Sequence, residues 1–315
     1  MEVVGYEPDM AGEIAAFYNK QMQGVPFSGP VDPRQMEAYL LSAWENESSN
    51  KLLDSDLLVM RSDGIIRGFA SVGIEDTTED DTQSRGAIGF LLYERGNRKS
   101  GQALISAAHS YIAERTDAPV RAFHQNHRFP AYYLPHAYCS DMLDHVQALL
   151  QINGYRKNSG EVYLSWGDFD PPGPRSCSIG VDIHVLWETE SGDLPKLILH
   201  AVSDGKKIGE CTHEIIAEKA GHPRKSAFCT WLGIHDNFQG RNLGTNLLGR
   251  ALEELRRCDY SNAVISTAWD NYRAFVFYAN CGYRAMDWTY GFERPSASMR
   301  QPQRLFPYQP NLERR

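Results

Sequence analysis

The chain has 315 residues, of which 42% are hydrophobic and 23% are charged, and its formal net charge is −8. At about 100–200 residues per domain, this length predicts two globular domains, and the acidic balance argues against a nucleic-acid partner held through its phosphates. We expect a cytoplasmic protein with no membrane partner, because the sequence has no secretory signal pattern, no bilayer-length apolar run and no CxxC pair among its six cysteines.

The first half of the chain alternates patterns typical of helices and strands. In chain order, these are helices at 9–22 and 32–45, strands at 56–62, 65–75 and 87–93, a helix at 100–115, a strand at 119–124, a helix at 141–153 and a strand at 161–166. Asp32-Pro33 is a helix-start signal, because a side-chain acceptor precedes a residue that needs no N–H. Ser62-Asp63-Gly64 predicts a tight turn between the first two strands. Residues 1–170 are therefore predicted to form the first domain.

A proline-rich window separates the two halves. Residues 171–175 contain three prolines and one glycine, which cannot continue a helix or a central strand, so they predict a linker. The second domain, 176–294, has strand patterns at 180–188, 195–203, 207–217, 226–235 and 262–267 and helix patterns at 243–257 and 271–281. The tail at 295–315 is rich in Pro, Gln and Arg and predicts an irregular extension.

The two halves repeat one order of elements: a hairpin, a strand, a glycine-bearing loop, a helix, a strand, a helix and a final Gly-Tyr. Gly154-Tyr155 and Gly282-Tyr283 are the two ends, and an extra segment at 125–140 lengthens the first half. This weak internal repeat predicts two tandem domains of the same α/β fold.

The segment from Gln239 to Thr245 joins a predicted strand to a predicted helix. The free N–H groups of a helix N-terminus and the helix dipole favour an anion at such a place. Gly240 and Gly244 allow a bulky anion to approach the backbone, and Arg241 adds positive charge. Glycine-bearing turns are also common without a ligand, so the loop alone leaves a purely structural role open.

Two motifs at a suitable separation resemble the GNAT superfamily of N-acetyltransferases. The family pattern at the first loop is Gln/Arg-x-x-Gly-x-Gly/Ala, and residues 239–244 are Gln-Gly-Arg-Asn-Leu-Gly, which departs at Asn242. Asparagine tolerates left-handed backbone geometry, so we expect the loop to keep its shape. The second motif is Asn, Ala and Tyr on a helix that ends in Gly-Phe or Gly-Tyr. Its residues here are Asn271, Ala274, Tyr278, Gly282 and Tyr283.

The resemblance covers residues 176–292 and implies two tandem GNAT-like domains of an α+β class, each with a mixed, splayed central sheet flanked by helices. It implies that acetyl-CoA binds where the strands at 226–235 and 262–267 separate, in line with ligand binding at the carboxyl ends of parallel strands. The residues implied to bind the cofactor are Leu232, Ile234, Gln239, Gly240, Arg241, Asn242, Leu243, Gly244, Thr245 and Asn271. Asn271 contacts the cofactor, caps its helix, or does both.

The same resemblance implies an activity, the transfer of an acetyl group to a primary amine by direct attack on the thioester. In the family, a strand N–H polarises the carbonyl, which indicates Ile234, and a tyrosine protonates the CoA sulfur, which indicates Tyr278. A buried structural aromatic is the alternative for Tyr278. A base must take the proton of the amine, whose pKa is about 10. Glu210 is the first candidate and His235 the second.

The first half matches the pattern less well. Gly96 stands where the family has Gln or Arg, and Leu150 occupies the position that is equivalent to Tyr278 in the second half. We interpret it as a degenerate copy, although Arg95, Arg98 and Lys99 are candidates for holding a phosphate. Two other hypotheses remain: a non-catalytic acyl-CoA binder or sensor, and a pseudo-dimer in which both halves bind CoA.

The extra segment at 125–140, together with the histidine just before it, contains two sets of candidate side chains. His124, His127 and His136 suggest a metal, but no Cys or carboxylate pattern completes them, so no metal is predicted. The aromatic residues are candidates for lining the acceptor pocket; they are Phe129, Tyr132, Tyr133 and Tyr138. The expected partner is a small-molecule or peptide amine, and the expected state is a monomer or homodimer.

Overall fold

The structure is a computed structural model that describes residues 1–42, 52–75, 84–125, 127, 138–171, 177, 179–189, 195–216 and 225–296. The strands of the first half are β1 (Glu2–Gly5), β2 (Leu52–Ser62), β3 (Ile65–Glu75), β4 (Gly86–Tyr93), β5 (Val120–Ala122), β6 (Cys139–Ser140) and β7 (Arg156–Gly167). Its helices are α1 (Ala11–Gln21), α2 (Pro33–Ser42), α3 (Arg98–Ala113) and α4 (Asp144–Ile152). The predicted start of α2 is confirmed, because Asp32 Oδ1 accepts a hydrogen bond of 2.9 Å from Gln35 N–H.

The second half follows the same order without the two opening helices. Its strands are β8 (Asp182–Glu188), β9 (Lys196–Ser203), β10 (Lys206–Ile215), β11 (Ser226–Ile234), β12 (Asn262–Ala268) and β13 (Arg284–Arg294). Its helices are α5 (Leu243–Arg257) and α6 (Tyr272–Cys281). Each predicted helix and strand is present, but the sequence analysis missed β1, β6 and β13. None of the helices described is long and apolar enough to cross a bilayer.

All described strands belong to one sheet, in the order β1-β2-β3-β4-β5-β13-β7-β12-β11-β10-β9-β8, with β6 on β13. The last strand of each half completes the sheet of the other half. β7 pairs with β12 of the second half, and β13 pairs with β5 of the first. The domain bounds at 1–170, 171–175, 176–294 and 295–315 stay a prediction, and residues 172–176 and 297–315 lie outside the described residues.

The sheet opens at one place in each half. β11 runs parallel to β12 and pairs with it only over Ser226–Cys229, although β11 continues to Ile234. β4 pairs with parallel β5 only over Gly86–Ile88 and continues to Tyr93. A bulge in each longer strand, at Thr230 and at Gly89, shifts the register at the point of separation. The predicted mixed, splayed sheet is thus confirmed.

The core of the second half lies between one face of the sheet and helices α5 and α6. The buried residues of α5 follow the predicted helical spacing and are Leu243, Leu247, Leu248, Ala251, Leu252 and Leu255. They pack in one apolar cluster with Cys211, Cys229 and Tyr278. The opposite face is covered by a smaller cluster that includes Phe27 and Phe228.

Candidate active site

The end of β11 borders an opening in the sheet. Residues Ser226–Cys229 are buried, whereas Thr230–Ile234 are exposed or half-buried. His235 N–H donates to Ile208 O of β10 at 2.9 Å. Because backbone groups of a strand alternate in direction, those of Leu232 and Ile234 point away from β10, toward the space that β12 has left. The structure therefore places both predicted residues at the opening.

The turn after β11 is held by the side chain of Gln239. Its Nε2 donates to Ile234 O at 3.1 Å and to Asp236 Oδ1 at 2.9 Å. Gly240 and Asn242 both have left-handed backbones, with φ of 75° and 62°. Asparagine is among the few residues besides glycine that accept this geometry readily, so the departure from the family pattern at Asn242 preserves the turn.

Helix α5 begins directly after this turn. Its first backbone hydrogen bond joins Asn246 N–H to Asn242 O at 3.0 Å, which leaves the N–H groups of residues 243–245 outside the helical ladder. Residues 239–242 are exposed, whereas Leu243 is buried and offers only its backbone. The Arg241 guanidinium lies 5.8 Å from the Phe238 ring. An anion can therefore reach this turn from solvent.

Gly244 marks the point where three elements meet. A Cβ added there would lie 3.8 Å from Ile234 Cγ1 and 3.7 Å from Phe277 Cζ. These are ordinary van der Waals distances. The first turn of α5, the end of β11 and helix α6 thus converge on the opening, and a side chain larger than alanine would enter it.

Helix α6 places Tyr278 in the core beside the opening. Asn271 Oδ1 accepts a hydrogen bond of 3.2 Å from Ala274 N–H, so Asn271 caps the helix as expected. Gly282, with φ of 119°, ends it. Tyr278 is 8% exposed, and burial raises the pKa of its hydroxyl well above the usual value. Tyr278 therefore stays protonated at neutral pH.

Glu210 and Trp231 lie on the face of the sheet opposite α5. The register pairs Glu210 with Gly233 and Thr212 with Trp231, and directly paired residues point to the same side. Trp231 is 59% exposed, and a Cβ added at Gly233 would lie 2.8 Å from its indole nitrogen. The sequence analysis missed Trp231, although an aromatic residue in the strand before a glycine-bearing loop is a detectable signal.

The two candidate bases differ in their surroundings. Glu210 Oε2 accepts a hydrogen bond of 2.6 Å from Lys207 Nζ and lies 3.3 Å from His200 Nε2. The hydrogen bond from Lys207 lowers the pKa of Glu210, so its carboxyl group is ionised. His235 is exposed, with its ring 6.2 Å from that of Phe238. Glu210 is the candidate that shares a face with the exposed tryptophan.

The corresponding opening in the first half is filled. All eight residues of β4 are buried. Tyr93 donates its hydroxyl proton to His145 O at 2.9 Å, and His145 Nε2 lies 3.1 Å from Tyr93 O. A Cβ added at Gly101 would lie 2.9 Å from the Tyr93 ring. Arg95, a candidate for holding a phosphate, is paired with Asp144 at 2.6 Å.

The fold supplies the carboxylate that the sequence did not show for His124 and His127. Glu75 Oε1 of β3 lies 3.3 Å from His127 Nε2, and Glu75 Oε2 lies 3.0 Å from Arg121. Burial, aided by the nearby charge of Arg121, lowers the pKa of His124 to about 4 and that of His127 to about 3. The adjacent guanidinium disfavours a bound cation.

Most of the extra segment lies outside the described residues. This applies to residues 126 and 128–137, which include His136, Phe129, Tyr132 and Tyr133. Tyr138 is described and buried, and its hydroxyl donates to Gln125 Oε1 at 3.1 Å. The acceptor-pocket role of this segment stays a prediction.

Comparisons with known proteins agree with this geometry. Residues 165–283 match the model of the acetyltransferase (GNAT) family. No curated protein sequence matches the chain.

Solved structures align over nearly its whole length. A tandem GNAT protein from the clavulanic acid biosynthesis pathway, solved without AcCoA, has a TM-score of 0.66 at 16% identity and covers 96% of this chain and 99% of its own. A GCN5-related N-acetyltransferase from Sphaerobacter thermophilus has a TM-score of 0.59 at 14% identity, and the alignment covers 93% of this chain and 95% of that one. A GCN5-related glucosamine N-acetyltransferase region of a fungal multi-domain beta-N-acetylglucosaminidase has a TM-score of 0.62 at 15% identity, covering 93% of this chain and 38% of that one.

Proposed function

Because residues 165–283 form a domain of the acetyltransferase (GNAT) family and the chain has the fold of tandem GNAT proteins, we propose that this N-acetyltransferase transfers an acetyl group from acetyl-CoA to a primary amine at the opening between β11 and β12. The observation that carries the proposal is the separation of these strands after Cys229, directly beside the N-terminus of α5. The acceptor is a small molecule or a peptide.

The cofactor is proposed to lie along the free edge of β11. The pantetheine arm pairs with the backbone at Leu232 and Ile234, and the pyrophosphate lies on the N–H groups of residues 240–245. Two left-handed residues shape that turn, and the helix N-terminus adds about half a positive charge. Ile234 O already accepts from Gln239, so its N–H is the group assigned to polarise the thioester carbonyl.

The reaction is a direct transfer. The ammonium form of the amine first loses one proton. Its neutral nitrogen then attacks the carbonyl carbon, the new C–N bond forms, the C–S bond breaks and the nitrogen releases a second proton. Tyr278 donates its hydroxyl proton to the departing thiolate, a role supported by its place on α6 beside the opening. Glu210 is the proposed acceptor of the amine proton, directly or through water, and His235 is the second candidate.

The acceptor is proposed to approach from the face that carries Glu210 and Trp231. An ionised carboxylate and an exposed indole together suit a cation, by ion pairing and by cation–π attraction. An alkyl amine is cationic at neutral pH because its pKa is about 10. The carboxylate of Glu210 and the exposed indole of Trp231 on one face therefore support a positively charged amine as the acceptor.

One cofactor site per chain is expected. In the first half, Tyr93, His145 and Leu149 occupy the space around Gly101 and the end of β4. In the second half, the equivalent end of β11 is exposed or half-buried. This contrast supports a degenerate first half and argues against the pseudo-dimer hypothesis.

Calorimetric titration of the full chain with acetyl-CoA tests the proposal. One site is expected, and Gly244→Leu should abolish binding because its side chain would fill the opening. Gly244→Ala is the matched control and should retain binding, since its Cβ meets Phe277 and Ile234 at ordinary distances. Two sites would contradict the degenerate first half, and the absence of binding at millimolar acetyl-CoA would refute the proposal.

A panel of primary amines separates an enzyme from a sensor. Release of CoA thiol with at least one amine is expected of the wild type. Stoichiometric acetyl-CoA binding with no turnover across polyamines, amino acids, aminoglycosides and peptide N-termini would favour the non-catalytic binder instead.

A further inference from the structure

A second cluster of reactive side chains lies beneath the candidate active site. Cys211 and His213 are two residues apart on β10, and the register pairs His213 with Cys229 of β11. Their side chains therefore share the face that packs against α5 and α6. The sulfur and ring nitrogen atoms all lie within 4.8 Å of one another, and Cys211 Sγ is 3.7 Å from His213 Nδ1.

The cluster is buried, and its polar groups are incompletely satisfied. His213 is 0% exposed, and its Nε2 has no hydrogen-bond partner among the residues that the structure describes. Burying a polar nitrogen without a partner is costly. An apolar residue would fill this position at lower cost. The nitrogen that lies beside the thiol of Cys211 is Nδ1, so Nδ1 would bind a ligand, and the unpartnered Nε2 is a cost of placing an imidazole here.

The chemistry of the three groups is that of a soft-metal site. Two thiolates and a neutral imidazole carry a charge of −2, which a divalent cation neutralises within the apolar core. This differs from the cluster of Glu75, His124 and His127, where Arg121 lies beside the carboxylate.

We propose that Cys211, His213 and Cys229 bind a thiophilic divalent cation, of which Zn²⁺ is the expected one. Around a tetrahedral zinc with ligands at about 2.0–2.3 Å, neighbouring ligand atoms are roughly 3.5 Å apart. The 3.7 Å between Cys211 Sγ and His213 Nδ1 is close to that spacing. Binding displaces the thiol protons, so affinity should fall as the pH is lowered.

The location gives the cation a structural consequence. Cys229 is the last residue of β11 that pairs with β12, and Tyr278 packs in the same cluster. A bound cation would tie β10 to β11 at the base of the opening. This inference goes beyond acetyl transfer and does not depend on it.

Titration of the reduced, metal-free full chain with Co²⁺ tests the site through thiolate-to-metal charge-transfer absorption. One equivalent is expected. Cys229→Ser and Cys211→Ser should each remove the charge-transfer band or weaken binding by more than about tenfold, since even partners outside the ligand set change metal affinity that much. Cys258→Ser, which changes an exposed cysteine, is the matched control and should leave the titration unchanged.

Two further measurements keep the result decisive. The unfolding temperature of the wild type should rise with Zn²⁺, because the cation binds the native chain, and His213→Gln should remove that rise while retaining the native circular dichroism spectrum. Tyr278→Phe should keep full Co²⁺ binding even if acetyl transfer is lost. Absence of a band in the wild type, or a band that survives Cys229→Ser and disappears in Cys258→Ser, would overturn the proposal.

Discussion

Single residues decide whether the turn after β11 suits an anion. Asn242 breaks the family pattern, yet its left-handed backbone, with φ of 62°, provides the conformation that glycine provides elsewhere. Gln239 matches the pattern, and its amide binds Ile234 O and Asp236. It therefore shapes the turn, in addition to any contact with a cofactor. Substitutions at this scale act through geometry and protonation.

Tyr278→Phe should lower kcat by roughly a hundredfold, the low end of the usual contribution of a general acid, while acetyl-CoA affinity changes little. Steady-state release of CoA thiol, combined with calorimetry, measures both quantities. Tyr283→Phe is the matched control, because Tyr283 is also buried and its hydroxyl has no hydrogen-bond partner among the described residues. Equal losses in the two variants would indicate a packing effect and contradict the acid role.

Asp287 should make stability depend on pH. Burial raises the pKa of this carboxyl to about 6, above its value in the unfolded chain, so the native state favours the protonated form. The contribution of this carboxyl group to the free energy of unfolding is complete below about pH 4 and is lost as the pH rises through about 6. Asp287→Asn should therefore be more stable than the wild type above pH 6, by up to about 3 kcal/mol.

Urea denaturation of wild type and variant between pH 4 and 7 measures this difference in the free energy of unfolding. His124 and His127 are present in both proteins, so their own pH dependence cancels in the difference. Asp270→Asn, at an exposed position, is the control and should show no such trend. A constant difference between Asp287→Asn and wild type across this range would contradict the prediction.

At the scale of elements, the pairing of β7 with β13 holds the centre of the sheet. The two strands pair from Arg284 and Ser165 to Glu293 and Arg156. At Gly160, an added Cβ would lie 2.3 Å from Thr289 O. That atom belongs to the backbone, so it cannot move without shifting β13. A glycine is thus required here by close strand packing.

Gly160→Ala should lower the free energy of unfolding by about 1–3 kcal/mol, as expected for an overpacked site. Chemical denaturation measures the change. Gly12→Ala in α1 is the control, because nothing lies within 4 Å of its added Cβ, and it should raise stability by up to about 1 kcal/mol through helix propensity. An unchanged stability in Gly160→Ala would mean that β13 does not approach β7 this closely.

For the whole molecule, the exchange of terminal strands makes the two halves interdependent. β5 of the first half pairs with β13 of the second half, and β12 of the second half pairs with β7 of the first half. The open edges left by a missing strand would expose unpaired backbone groups and favour aggregation. The second half therefore depends on the first half for its strand neighbour even if the first half binds no cofactor.

Separate expression of residues 1–175 and 176–315 tests this dependence. Each fragment alone should be largely unfolded or aggregated by circular dichroism and gel filtration. The two fragments expressed together should copurify and recover acetyl-CoA binding. A monomeric, folded 176–315 fragment that binds acetyl-CoA unaided would contradict the interdependence of the halves.

The sequence by itself determined the local features of this protein. The apolar spacing of α5, the cap at Asn271 and the end at Gly282 depend on residues within a few positions of each other. The strand alternation that places Glu210 and His213 on opposite faces of β10 is equally local. Periodicity and turn chemistry therefore predict each of these features. The two motifs at residues 239–244 and 271–283 were also readable, because each lies within a short stretch of chain.

Only the tertiary structure decided the features that join distant segments. These are the insertion of β13 between β5 and β7, the filling of the first opening by Tyr93 and His145, and the meeting of Cys211 and His213 with Cys229. Strand order and register bring these residues together, and a single sequence does not encode either in a local pattern. The division between one open and one filled site is therefore a property of the fold.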